Sequence, residues 1–309
     1  MKIWAHPYQL ITKKPMANPR LGALLKVEWS SGQVGYSDLH PWPEFGDQEL
    51  DIHLERIAEL NFTPLTELSL EFNFIDREFR LHNRSVFLGL LLPSSHLLVD
   101  TIEDVNPSNV GLWKSQGFTH AKVKVAGDWQ KAVQVLNTVV PASELIWRLD
   151  LNGNYDAAEF QRGWLQFSPE TKQRIDFVED PIANGNFQTD GPWAEDFIKK
   201  NEFSKVNPPV RVVKPMREEL ENLEEYRRVV FTHGLDHPLG QASALWSAAQ
   251  YYRRHPQQLE VCGLGAPTRY LQSDFSKAWS CTGPRMKPVP GTGFGFDELL
   301  ADTAWDRLV

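Results

Sequence analysis

Lysines and carboxylates recur in this chain where a buried strand should carry neither. In Ala121-Lys122-Val123-Lys124-Val125 the two lysines share one face of a strand and the valines the other. Arg148-Leu149-Asp150-Leu151-Asn152 repeats the alternation, with Arg148, Asp150 and Asn152 together. Glu179 ends Asp176-Phe177-Val178-Glu179, and Lys214 ends Arg211-Val212-Val213-Lys214. Taken singly, each is explained by an edge strand guarded by lysine or by a charged strand end. Their succession is not: Lys124 to Asp150 is 26 residues and Asp150 to Glu179 is 29, each one strand-and-helix step, so consecutive strands deliver these groups to one end of a sheet. Buried cations need partners or shifted pKa values. Two carboxylates between lysines suit a hard divalent cation such as Mg²⁺, which prefers oxygen ligands. A lysine beside such an ion is driven toward its neutral, basic form. The chemistry made available is removal of a proton α to a carboxylate, with a metal holding the enolate dianion while a lysine takes the proton.

The elements that must position these groups fall into two textures. The first ninety residues read as α+β, with strands at 1–11 and 23–30 and a Pro- and aromatic-rich loop at 40–47. Leu50, Leu54, Ile57 and Leu60 then recur at helical spacing, and 65–79 reads as a second helix. From about residue 95, short apolar strands alternate with helices. The pairs are 97–102 with 109–116, 121–126 with 129–139, 145–151 with 157–167, and 176–179 with 192–200. After a gap come 210–213 with 220–228, 229–232 with 240–254, and a last strand at 259–264. Such alternation means a parallel sheet, and seven or eight units fit a compact barrel better than a doubly wound sheet. The fold class is therefore α/β, divided into 1–94, 95–270 and 271–309. The last segment ends in a short helix at 297–300 and returns to the N-terminal layer.

Composition narrows the function. The 309 residues include 41% hydrophobic and 23% charged, with eleven Trp and 17 Phe, enough apolar bulk for a packed core. A net charge of −8 argues against nucleic acid, which demands clustered cations, but leaves room for a small anionic substrate. The longest strongly apolar run, 86–92, is far short of the roughly 20 residues that cross a bilayer. With no apolar leader segment and only Cys262 and Cys281, the expectation is a soluble cytoplasmic protein with free thiols. Gly291, Gly293 and Gly295 follow Pro290 rather than a strand, so they read as a return loop and not a dinucleotide fingerprint. His233 and His237 read as capping or surface residues rather than ligands.

The segments AKVKVAGDW (121–129), RLDLNGNY (148–155), FVEDPIA (177–183), VVKPM (212–216), FTHGLDHPLGQASALWSAA (231–249) and CGLGAP (262–267) together resemble the enolase superfamily. Within it the chain is most similar to the o-succinylbenzoate synthase family, through the KVKVA strand, the R-x-D-x-N strand, the WPEF cap loop and the GLG turn. That resemblance implies an α+β capping domain over a modified (β/α)7β TIM-like barrel. It also implies Mg²⁺-dependent dehydration of 2-succinyl-6-hydroxy-2,4-cyclohexadiene-1-carboxylate in menaquinone biosynthesis. Lys124 resembles the general base and later acid, and Lys214 the lysine across the substrate, suited to a cation–π role. Asp150 and Glu179 resemble metal ligands. Lys122, Arg148 and Asn152 would line the site, as would Asp236, which replaces the glutamate usual in its stretch. Backbone N–H groups of Gly263-Leu264-Gly265 would approach the succinyl end, and Trp42 to Phe45 would form part of a lid. Other enolizing members of the superfamily, such as a dipeptide epimerase, an N-acylamino-acid racemase or a muconate cycloisomerase, are the alternatives, together with a binding protein of weakened activity on the same scaffold.

The family's third metal ligand is an Asp between the strands of Glu179 and Lys214. Only 35 residues separate these two, too few for two complete steps, so the barrel is expected to be shortened around its fifth strand. If 192–200 is a helix, the ligand position falls on Lys200-Asn201-Glu202-Phe203. Glu202 is then the expected replacement, with Asn201 or a water as alternatives.

Overall fold

The computed structural model describes residues 1–13, 19–30, 32–182, 191–196, 210–218, 220, 222–265 and 270–309. The N-terminal layer is an antiparallel meander of β1 (Lys2–Leu10), β2 (Arg20–Glu28) and β3 (Val34–Leu39). Ile3 and Ala5 of β1 alternate inward and meet Leu25, Val27 and Leu39. Two helices, α1 (Leu50–Ala58) and α2 (Pro64–Leu81), complete the layer. Helix α1 adds Leu50 and Ile57 to this core, and α2 adds Leu65. Thr63 caps α2 by accepting the Thr66 N–H at 3.2 Å, and Pro64 occupies the first turn, where no amide partner is needed.

The second layer is a curled parallel sheet. Its strands are β4 (Leu97–Val99), β5 (His120–Lys124), β6 (Ile146–Asp150), β7 (Ile175–Glu179), β8 (Trp193–Glu195), β9 (Val210–Val213) and β10 (Val229–Phe231), neighbours in that order. Single bridges Val229–Leu259, Thr232–Gly263 and Ser95–Cys262 carry the ring from β10 through 259–263 back to the start of β4. The helices are α3 (Pro107–Ser115), α4 (Trp129–Val139), α5 (Ala157–Gln166), α6 (Pro169–Arg174) and α7 (Pro238–Arg254). Helix α4 shows why such segments are helical: Trp129, Ala132, Val133, Leu136 and Val139 form one buried stripe, and Asp128 caps it through the Lys131 N–H at 3.1 Å.

The segment 192–200, expected to be helical, instead contributes β8, which is the fifth strand of the sheet. Val178 pairs with Trp193, Glu179 with Ala194, and Ala194 with Val210. The Trp193 ring lies 5.4 Å from Phe160 and 5.2 Å from Trp164, so packing on α5 fixes these residues against the sheet whatever their local preference. The fifth strand expected beyond residue 200 lies outside the described residues, as does Glu202.

The segment 220–228, also expected to be helical, holds among its described residues one short 3-10 turn, Leu223–Glu225, and no α-helix. Asn222 is left-handed (φ 54°), which interrupts any helix before it. Charges near this stretch are drawn into tertiary pairs instead of i, i+4 pairs. Glu218 binds Arg211, while Arg228 binds Asp176 and, at 2.8 Å, Glu260.

The tail comprises α8 (Asp274–Ala278), a hairpin of β11 (Ser280–Thr282) and β12 (Arg285–Lys287), α9 (Asp297–Asp302) and β13 (Asp306–Arg307). Strand β13 adds to the outer edge of the meander, pairing Trp4 with Arg307. The two layers are also joined by buried polar contacts. Asp38 of β3 accepts from Tyr8 Oη at 2.6 Å and from the His237 N–H at 3.1 Å, while Arg217 pairs with Asp47 and donates to the His40 carbonyl at 3.3 Å.

Candidate active site

A cavity of about 410 Å³ opens at the C-terminal ends of the parallel strands, beneath the cap loop that carries Trp42 and Phe45. Parallel barrels build their sites at this end because the strand-to-helix loops converge there. Register sets the first row: Lys124 is level with Asp150, and Asp150 with Glu179, on hydrogen-bonded neighbours. Just past the strand ends the backbone turns sharply. Asn152 (φ 48°), Gly153 (φ 62°) and Asp180 (φ 45°) are left-handed, and the Gly153 N–H donates to the Asp180 carbonyl at 2.8 Å. Asn and Asp tolerate this conformation better than other non-glycine residues, so the loops can turn here without a further glycine.

Lys122 is the hub of the charged row. Its Nζ donates to Glu179 Oε2 at 2.7 Å and stands 3.0 Å from Asp150 Oδ2. Burial opposes the ammonium, yet the two carboxylates raise its pKa above the usual lysine range. Lys124 Nζ lies farther out, 3.7 Å from Asp150 Oδ2; its side chain is 27% exposed against 9% for Lys122. Burial also opposes charge on Asp150, but Lys122 and Lys124 hold its pKa below the usual carboxylate range. Glu179 is pushed up to about 8 chiefly by burial, with repulsion from Asp150 and Asp196 adding to it and attraction to Lys122 and Lys214 opposing it.

Asp196, directly after β8, is a further candidate site residue that sequence reasoning missed. It is buried, lines the cavity and pairs with Lys214. Asp150 and Glu179 thus end β6 and β7, and Asp196 directly follows the next strand, β8. The available signal was that Trp193-Ala194-Glu195-Asp196, like Phe177-Val178-Glu179, is a short apolar run ending in acid.

The donor set fits a hard divalent cation. All three groups are carboxylates on adjacent strand ends, and the Lys122 ammonium already occupies a position that two of them bind as a cation. As placed, the lysines stand between the acids, so among the described residues no three carboxylate, imidazole or thiol groups gather at ligand distances.

Of the other sequence-predicted residues, Asn152, Gly263, Trp42 and Phe45 line the cavity. Arg148 does not. It is fully buried below the cavity, with Nε 2.8 Å from Asp176 and Nη1 3.0 Å from His96 Nδ1. Asp236 does not either: it is buried toward Asp38 at the junction with the cap and accepts the Gly234 N–H at 2.9 Å. The N–H groups of the glycine turn are already committed. Gly263 donates to the Phe231 carbonyl at 2.7 Å, and Leu264 and Gly265 donate to Ser95 Oγ at 2.9 and 2.8 Å. His233 serves the same turn, with Nε2 2.8 Å from the Gly265 carbonyl, and His237 caps α7.

A meander cap over a curled parallel sheet is the fold that this chain shares with solved structures of the enolase superfamily. An enolase-superfamily protein from Enterococcus faecalis V583 superposes with a TM-score of 0.72 at 16% identity, over 100% of this chain and 98% of that one. Residues 3–79 match the family described as O-succinylbenzoate synthase, N-terminal domain. An o-succinylbenzoate synthase of Bdellovibrio bacteriovorus is 28% identical over 98% of this chain and 96% of its own length. The o-succinylbenzoate synthase of Thermosynechococcus elongatus BP-1, complexed with Mg in its active site, superposes with a TM-score of 0.67 at 17% identity, over 97% of this chain and 99% of that one. The fold is that of the enolase superfamily, and the chain is an enzyme similar to the o-succinylbenzoate synthases.

Proposed function

We propose that the protein dehydrates 2-succinyl-6-hydroxy-2,4-cyclohexadiene-1-carboxylate to o-succinylbenzoate, as a lyase of menaquinone biosynthesis acting in the cytoplasm. The observation that carries this reading is the single cavity in which Lys124 and Lys214 flank Asp150, Glu179 and Asp196. Asp150, Glu179 and Asp196 would hold Mg²⁺, with Asp196 taking the place earlier expected of Glu202. When bound, the ion supplies positive charge against the enediolate that forms as the α-proton leaves.

The residues divide the work by position. Lys122 is wrapped by two carboxylates and stays an ammonium; it balances charge and cannot also serve as the base. Lys124 is the more open lysine and would take the α-proton. It would return that proton to the departing hydroxyl, which leaves as water while the ring becomes aromatic. Lys214 comes from β9, on the far side of the acids, and would hold its charge against the ring face. Trp42 and Phe45, stacked at 5.0 Å, would roof the site and limit water.

The test is direct. The purified protein with Mg²⁺ should convert the substrate to the aromatic product, followed by ultraviolet absorbance, and chelation by EDTA should stop it. No conversion with Mg²⁺ present would remove this reading.

A further inference from the structure

The wall of the cavity opposite the acids carries a donor with no assigned role. His96, just before β4, lines the cavity. Its backbone N–H is bound to the Cys262 carbonyl at 2.6 Å, and its Nδ1 lies 3.0 Å from Arg148 Nη1. A guanidinium has only donors, so Nδ1 must accept and the ring proton must sit on Nε2. Burial, together with the positive charges of Arg148 and Lys122, keeps the imidazole neutral. Nε2 has no protein partner among the described residues, and it faces the glycine turn. A Cβ built on Gly263 would stand 2.8 Å from both His96 Nε2 and Cε1, so the absent side chain makes room for the ring.

The position matters as much as the chemistry. Around the ring, β4 lies across from β8, and the 259–263 segment lies across from β7. A substrate whose enolizing carboxylate sits at Asp150, Glu179 and Asp196 therefore points its other end at His96. The backbone N–H groups expected to receive that end are used inside the protein. We infer that His96 is a substrate-binding residue that donates from Nε2–H to a carbonyl or carboxylate oxygen on the substrate's chain remote from the enolizing carbon, and that Arg148 is the positioning residue that fixes its tautomer. This inference rests on the proposed function, in which the remote chain is the succinyl group.

The tautomer can be read in the unmodified protein. Long-range ¹H–¹⁵N spectra of histidine-labelled enzyme should show His96 neutral and protonated at Nε2 at pH 7, with that signal shifting when o-succinylbenzoate is added with Mg²⁺. His96→Phe should raise KM about 10- to 100-fold, the loss of one hydrogen bond to a charged or strongly polar acceptor, with a smaller effect on kcat. His96→Gln, which can place an amide N–H near the Nε2 position, should recover part of the loss. A ring protonated at Nδ1, or an unchanged KM in His96→Phe, overturns the proposal while leaving the dehydratase reading intact. A wild-type protein that neither dehydrates the substrate nor binds o-succinylbenzoate overturns both.

Discussion

Lys122 Nζ bonds Glu179 Oε2 at 2.7 Å while standing 3.0 Å from Asp150 Oδ2, so one ammonium bridges two buried carboxylates. Removing one partner of such a cluster leaves uncompensated charge in a poorly solvated place, at a cost of about 3–5 kcal/mol. Lys122→Met should therefore lower stability strongly in metal-free buffer. Added Mg²⁺ should restore more stability to the variant than it adds to wild type, because the ion can replace the lost positive charge. Thermal unfolding of both proteins with and without MgCl₂ measures the difference; equal Mg²⁺ effects would show that Lys122 is not sharing the carboxylates with a cation.

Asp150 and Asp196 should both matter to metal binding. Calorimetric Mg²⁺ affinity should fall in Asp150→Asn and in Asp196→Asn, since each loses a charged oxygen at a strand end. Glu202→Gln should leave it near the wild-type value. The reverse result, with Glu202 decisive and Asp196 silent, would return the third ligand to the segment beyond residue 200.

Lys124→Ala should cost about 10²–10⁴ in kcat, the range of a positioned acid–base group. Its unfolding midpoint should change little, because the Lys124 ammonium stands 3.7 Å from Asp150 while Lys122 supplies the closer contact. Activity near wild type would point to Lys214 as the base.

How much of this was legible in the sequence depended on the length of each pattern. Lys122 and Lys124, and likewise Asp150, stand on five-residue strands whose alternation is visible without a structure. One strand-and-helix step separates the levels, so Lys124, Asp150 and Glu179 could be placed together. Asp196 follows a strand of three residues, too short to show a period, and Pro192 ahead of it looks like a helix start. Its position is decided by Trp193 packing on α5, a contact that local sequence does not encode. Arg148 misled for a different reason. It shares a face with Asp150 but sits two residues lower, about 6–7 Å deeper along the strand, and inward residues of a barrel fill separate layers. The left-handed Asn222 and the long-range pairs of Arg228 hid the absence of a helix at 220–228 in the same way.

His237 sets an acid limit on stability. It caps α7, accepting the Leu239 N–H on Nδ1 at 3.2 Å, and it is packed between Tyr8 at 4.8 Å and Phe275 at 4.6 Å. Burial pushes its pKa down to about 3, whereas an unfolded histidine titrates near 6.5. Between those values the unfolded chain binds the proton and the native chain does not, so this residue's contribution is fully present above about 6.5 and is lost as the pH falls toward 3. The slope for one proton is roughly 1.4 kcal/mol per pH unit. Asp38 and Asp236 lie nearby with pKa values raised by burial, and they act in the opposite sense, so the wild-type curve alone does not isolate the histidine. His237→Asn does. Asn retains the capping oxygen and the backbone N–H that binds Asp38, but carries no titrating ring. Chemical denaturation from pH 4 to 7 should therefore show a shallower loss of stability at acid pH in His237→Asn than in wild type. Parallel curves would mean that His237 becomes protonated within the folded protein.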